Sequence, residues 1–150
     1  MAEQDNFDAI NDPVYVGFWM RTLAALVDSV IFVLIAIPLL WQIYGSDYFL
    51  AEQEHEGTLD LIISYGLPAL AIILFWVYRA ATPGKMLIKT EIRDARTGQR
   101  PSTGQCIGRY VGYYLAMFPL FLGIIWVAFD KRKQGWHDKI ASTVVVYTDK

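Results

Sequence analysis

The sequence is poor in the residues from which catalytic and metal centres are built. Its 150 residues include one cysteine, Cys106, and two histidines, His55 and His137. A lone thiol forms no internal disulfide and two distant imidazoles have no metal-ligand spacing, so neither a cofactor nor a metal centre is expected. A phosphate loop is missing as well, since Thr82-Pro83-Gly84-Lys85 lacks the Gly-x-x-x-x-Gly-Lys-Ser/Thr pattern. His137 and Asp138 are neighbours whose side chains diverge on either a helix or a strand, and no nucleophile accompanies them, so an enzyme is not expected. Charged residues make up only 19% of the chain, and no Lys or Arg precedes Arg21. The polar leader, residues 1–18, also lacks a short apolar stretch ending in a small-residue cleavage site, so no signal peptide is expected to be removed. The net charge of −2 gives no reason to expect a nucleic-acid partner.

What the chain has in abundance is apolar surface. Hydrophobic residues make up 55% of it, above the roughly 45–50% usual for soluble domains. They gather into three blocks, Thr22 to Trp41, Leu61 to Tyr78 and Tyr110 to Phe129. Each approaches the roughly 20 residues that cross a hydrocarbon core. The expectation is a single α-helical membrane domain over residues 1–150, with the bilayer as its first partner.

Orientation follows from Lys and Arg, because short basic loops resist translocation. Residues 45–60 hold Asp47, Glu52, Glu54, Glu56 and Asp60 without a basic residue and are expected outside, as a solvated acidic loop with no calcium-loop spacing. Residues 79–106 carry Arg79, Lys85, Lys89, Arg93, Arg96 and Arg100 and are expected in the cytoplasm, with the N-terminus. Two transmembrane helices result. The third block conflicts with simple crossing, because residues 130–150 carry Lys131, Arg132, Lys133, Lys139 and Lys150. Pro119 and Gly123 inside that block suggest a break, hence a re-entrant pair of half-helices over residues 107–129 that returns to the cytoplasmic face. The β-branched runs Met86 to Arg93 and Ser142 to Thr148 read as two strands, which pair only if both flanks of block three share a side. The alternative is a third crossing with an exported basic tail. A bacterial inner-membrane location fits either topology.

Arg21 and Asp28 are seven residues apart, on one helix face about 10 Å apart along the axis. With Trp19 and Arg21 at the headgroup level, Asp28 lies about 13 Å deeper. An ionised aspartate there costs about 3 kcal/mol or more unless protonated, paired or wetted. It is either an ion or proton site or a polar tie between helices. Arg109 heads the third block and is its candidate partner, unless it is an interfacial arginine whose guanidinium stays in water. Gly104, Gly108 and Gly112 repeat at four-residue spacing, a groove for close helix approach either inside the chain or in a dimer. Ala25 and Ser29 offer a matching small face.

Taken together, Arg21 and Asp28 in the first apolar block, Thr82-Pro83-Gly84-Lys85 after the second, Arg109 heading the third, and Gly135-Trp136-His137-Asp138 leading to Ala141, Thr143 and Val144 to Val146 resemble the RDD family of membrane proteins. The resemblance runs from Phe18 to Val146 and puts the family's arginine and two aspartates at Arg21, Asp28 and Asp138. Trp136 stands where the family often has leucine, Lys139 where it often has arginine, and Ser142 where glycine is usual. The family is largely uncharacterised, and at least one member is described as a sodium/proton antiporter. The resemblance therefore implies a cation or proton transport component around Asp28, assisted by Arg21, Arg109 and Asp138. Such a component would exchange Na+ or H+ and, with so few crossings, would require a homo-oligomer or another membrane protein. The competing expectations are an accessory or assembly subunit whose charged residues only fold it, and a lipid-interacting protein whose re-entrant hairpin and Lys/Arg flanks engage anionic headgroups. The resemblance also implies an Arg21–Asp138 ion pair, with Asp28 deeper and reached through Arg109 or water.

Overall fold

The computed structural model describes residues 13–45 and 62–148. The expected acidic outer loop with His55, most of the leader, and Lys150 lie outside the described residues.

Helix α1, Phe18–Tyr44, is a 27-residue apolar helix that ends where Gly45 takes a positive φ of 77° and returns its N–H to the Trp41 carbonyl. A π-helical turn, Ile62–Gly66, leads into α2, Leu67–Arg79, with a proline in its first turn where no intrahelical amide is needed. By length and composition, two stretches suffice to cross a membrane: Phe18–Ile43, with mean hydropathy 2.6, and Leu67–Leu87, with mean hydropathy 1.3. They share little side-by-side packing, and the main neighbour of α1 is the short helix α3, Pro83–Leu87. Most of the described α1 side chains face outward, and among them only Ala24 is buried.

The strands are β1, Thr90–Asp94, and β2, Thr143–Tyr147, paired antiparallel from Thr90 opposite Tyr147 to Asp94 opposite Thr143. Tyr15 adds an isolated bridge to Val146 on the far side of β2. The first strand begins later than the expected Met86, because Pro83 at the head of α3 starts a helical turn that takes up Met86 and Leu87. Lys89 then redirects the chain with φ of 53°.

Between the strands runs α4, Thr103–Met117, opened by a reciprocal cap in which Ser102 and Gln105 bond each other's backbone amides. The expected break occurs at Phe118 to Phe121, after which α5, Leu122–Ile125, and a 3-10 turn, Trp126–Ala128, fold back with a bend of 114°. The unusual dihedrals belong to Leu120 and Phe121, with φ of 52° and 61°, not to Gly123. Gly123 serves close approach instead, since a Cβ there would lie 2.7 Å from the Ala116 Cα. Helix α6, Trp136–Ile140, then crosses α4 and delivers the chain into β2. Val16, Trp76, Ile92, Cys106 and Val145 form the core where helices meet the sheet.

The candidate charged site

On α4 the buried positions Cys106, Arg109, Gly112 and Ala116 recur at intervals of three and four residues and make one inward face. Helix α6 lies against this face so closely that a Cβ on Gly112 would be 2.9 Å from the His137 Cα. Asp138 therefore points at Arg109. The carboxylate also accepts the Gly135 N–H at 3.0 Å, closing the first turn of its own helix.

Asp138 is fully buried and organises the site. Its Oδ1 accepts from Arg109 Nη1, and its Oδ2 accepts from Arg21 Nη1 at 2.5 Å. Arg109 also donates to Thr143 Oγ1 at 2.8 Å and lies 5.4 Å from the Trp76 ring and 5.7 Å from the Tyr113 ring. Arg21 reaches the carbonyls of Lys133, at 2.6 Å, and Val16, at 3.0 Å. One carboxylate thus ties α1, α4 and α6 together. Burial alone would raise the Asp138 carboxyl, but the Arg109 and Arg21 guanidiniums outweigh it and hold it well below the carboxylate range. His137, stacked on Tyr113 with ring centroids 3.9 Å apart, is pushed down to about 3. Burial is the main cause; the Asp138 charge opposes it, and the Arg109, Arg21 and Lys85 cations add to it.

Asp28 has a different setting from the expected one. Its Oδ2 accepts from Thr82 Oγ1 at 2.5 Å and its Oδ1 from the Gly84 N–H at 2.6 Å, so it docks the first turn of α3 against α1. The approach is tight enough that a Cβ on Gly84 would sit 2.2 Å from the Ala24 carbonyl oxygen. Among the described residues Asp28 has no ion pair with Arg109 or Arg21. Arg109 is committed to Asp138, and the turn after α2 reaches Asp28 first. This also puts Asp28 level with the end of the second apolar helix.

The glycine stripe divides. Gly112 packs inside the chain, whereas added Cβ atoms on Gly104 and Gly108 meet open space or only the Ser102 hydroxyl at 3.9 Å. Those two border a shallow groove of about 400 Å3 beside Arg96, Ile140 and Ser142. Sequence reasoning did not single out Trp76 or Tyr113, and it named Lys85 and Thr143 only as part of the family pattern, without a place in the site. Lys85 is 8% exposed, and its ammonium lies 5.6 Å from the Trp76 ring. In the sequence it counted as a topology charge and as the end of the Thr-Pro-Gly-Lys motif, and nothing in that pattern signals its burial against Trp76.

Two long apolar helices, a bent third helical segment and a buried charge cluster where they meet a two-stranded sheet define a helical membrane-type protein. The chain belongs to the RDD family, whose profile matches residues 15–142. It is similar to an uncharacterized protein of Rickettsia prowazekii, at 31% identity over 89% of this chain and 96% of the relative. It is also similar to the uncharacterized protein YxaI of Bacillus subtilis, at 29% identity over 87% and 96%. No solved structure matches the chain.

Proposed function

We propose that the protein is a non-catalytic accessory or assembly subunit of the bacterial inner membrane, which binds a second copy of itself or another membrane protein. The observation that carries this reading is the engagement of both oxygens of each carboxylate, Asp138 and Asp28, by the chain's own donors. Asp138 is occupied by Arg21, Arg109 and the Gly135 amide, and Asp28 by Thr82 and the Gly84 amide. Groups so occupied fix helix positions, and releasing them for a transported ion would cost their hydrogen bonds. The outward-facing α1 and the open Gly104–Gly108 face support a partner within the membrane.

A second reading is supported by one observation. Asp28 is only partly buried and is held by neutral donors, not by a cation. In that reading it exchanges H+ or Na+ in a sodium/proton antiport-like component, with Arg21, Arg109 and Asp138 as a fixed frame and an oligomer completing the path. Both readings keep the termini cytoplasmic and the bent segment re-entrant, a topology supported by the pairing of the strands on its two flanks.

Ion flux in proteoliposomes separates the two. Under imposed Na+ and H+ gradients, the wild type and Asp28→Asn should both match protein-free liposomes, while Gly108→Cys in a Cys106→Ser background should cross-link within or between complexes. Flux present in the wild type and abolished by Asp28→Asn would replace the accessory reading with the transport one.

A further inference from the structure

Donors and positive charge are in excess around Trp76. Three cations, Arg21, Lys85 and Arg109, lie in the cluster against two carboxylates, Asp28 and Asp138, and Lys85 forms no salt bridge among the described residues. The nitrogens Trp76 Nε1 and Arg109 Nε and both ring nitrogens of His137 are buried without a hydrogen-bond partner. Indole and guanidinium nitrogens only donate, and a neutral imidazole must donate from one nitrogen. Each unpaired buried donor costs about 1–3 kcal/mol, and an uncompensated buried charge costs more. These groups are close to one another. Arg109 and Lys85 both lie over the Trp76 ring, and Tyr113 joins Trp76, at 6.0 Å between centroids, to His137.

We propose that the donor cluster of Lys85, Arg109, Trp76 and His137 is an anion-binding site whose ligand is a phosphate group, carried by a lipid headgroup or free in solution. An anion supplies both what the cluster lacks in charge and what it lacks in acceptors. A phosphate presents three or four acceptor oxygens, which suits several neighbouring donors, whereas a carboxylate offers two oxygens and chloride has no directed geometry. Depth agrees with a headgroup, because Lys85 lies in the short helix that follows α2, beside the exposed Met86 and Leu87, with the exposed Tyr78 near the end of α2. Access is from the side of Arg21 and Lys85, whose side chains retain some exposure while Arg109 and Asp138 are closed off. The site does not depend on which function is right, because neither Asp28 nor the Gly104–Gly108 face supplies a donor to the anion.

Thermal unfolding of the full chain in detergent tests it. The additions are inorganic phosphate against sodium chloride at equal ionic strength, and phosphatidic acid against diacylglycerol with the same acyl chains. A saturable rise in unfolding temperature with phosphatidic acid alone identifies a headgroup site, and a rise with inorganic phosphate identifies a site for the free anion. Lys85→Met should raise the half-saturating concentration at least tenfold and Trp76→Phe severalfold, while the exposed Lys131→Gln leaves it unchanged. Lys85→Met should also be more stable than the wild type when no phosphate is present. If Lys85→Met does not fold, Trp76→Phe decides. No response beyond chloride and diacylglycerol, or a response that Lys85→Met and Trp76→Phe leave intact, overturns the proposal.

Discussion

Asp138 and Asp28 carry the same side chain and hold very different partners. Asp138 neutralises two guanidiniums from full burial, so Asp138→Asn leaves Arg21 and Arg109 facing each other without an anion. The expected loss is about 3–5 kcal/mol, seen as a collapse of folded yield or a large drop in unfolding temperature in detergent. Asp28→Asn keeps an amide oxygen for one of two neutral donors and should cost about 1–2 kcal/mol. Equal losses in the two variants would remove the distinction drawn between them. His137 adds a pH dependence. Its folded pKa of about 3 lies below the ordinary 6.5, so between those values the unfolded chain binds the extra proton. Its stabilising contribution is therefore full above pH 6.5 and lost as pH falls, at up to about 1.4 kcal/mol per unit. The depressed Asp138 adds to this once pH enters the ordinary carboxylate range, and increasingly below it. Unfolding temperatures between pH 7 and 5 should fall for the wild type and stay nearly flat for His137→Phe, which keeps the stack on Tyr113. The Arg21–Asp138 pairing was legible only through the family resemblance, because the composition leaves Asp138 as one acid in a basic tail. Asp28's partners were not legible, since one of them is a backbone amide that no residue pattern displays.

Helix α4 shows how a regular spacing can conceal two different faces. Gly104, Gly108 and Gly112 look equivalent in the sequence, yet only Gly112 has α6 against it. The reason is the chain reversal at Phe118 to Phe121, which lays α6 across one end of α4 and leaves the other open. Gly112→Ala should therefore destabilise by about 1–3 kcal/mol through overpacking. Gly108→Ala should be neutral or slightly stabilising, because alanine favours the helix by about 1 kcal/mol. Comparing the unfolding temperatures of the two variants measures the asymmetry, and a Gly108 penalty matching that of Gly112 would mean that the open face is covered. The apolar blocks themselves were easy to read, as hydropathy reports burial in any apolar surrounding. The break was also legible, from Pro119. Helix α3 was not, because Met86 to Ile88 satisfies a strand pattern and only the preceding Thr-Pro-Gly start decides for a helical turn.

At the scale of the molecule, the two-stranded sheet constrains how the chain meets the membrane. Strand β1 precedes α4 and β2 follows α6, so their pairing closes the bent segment at its base. The arm α4 has 15 residues, about 22 Å of helix, less than the roughly 30 Å of a hydrocarbon core. Its tip carries Phe118 and Leu120, 92% and 85% exposed, which are apolar side chains suited to lipid. A segment that crossed fully would carry β1 and β2 to opposite faces and separate all five residue pairs of the register. Single cysteines in a Cys106→Ser background test this, placed at the exposed Thr97 before α4, at Lys131 after the hairpin, and at Gln42 near the far end of α1. A membrane-impermeant maleimide applied to spheroplasts should label Gln42→Cys without permeabilisation, whereas Thr97→Cys and Lys131→Cys should both require it. If Thr97→Cys and Lys131→Cys react from opposite sides, the segment crosses and the sheet cannot form. The Asp138 lock would then fail too, because the β2 residue Thr143, which shares Arg109 with Asp138, would be carried away with the strand.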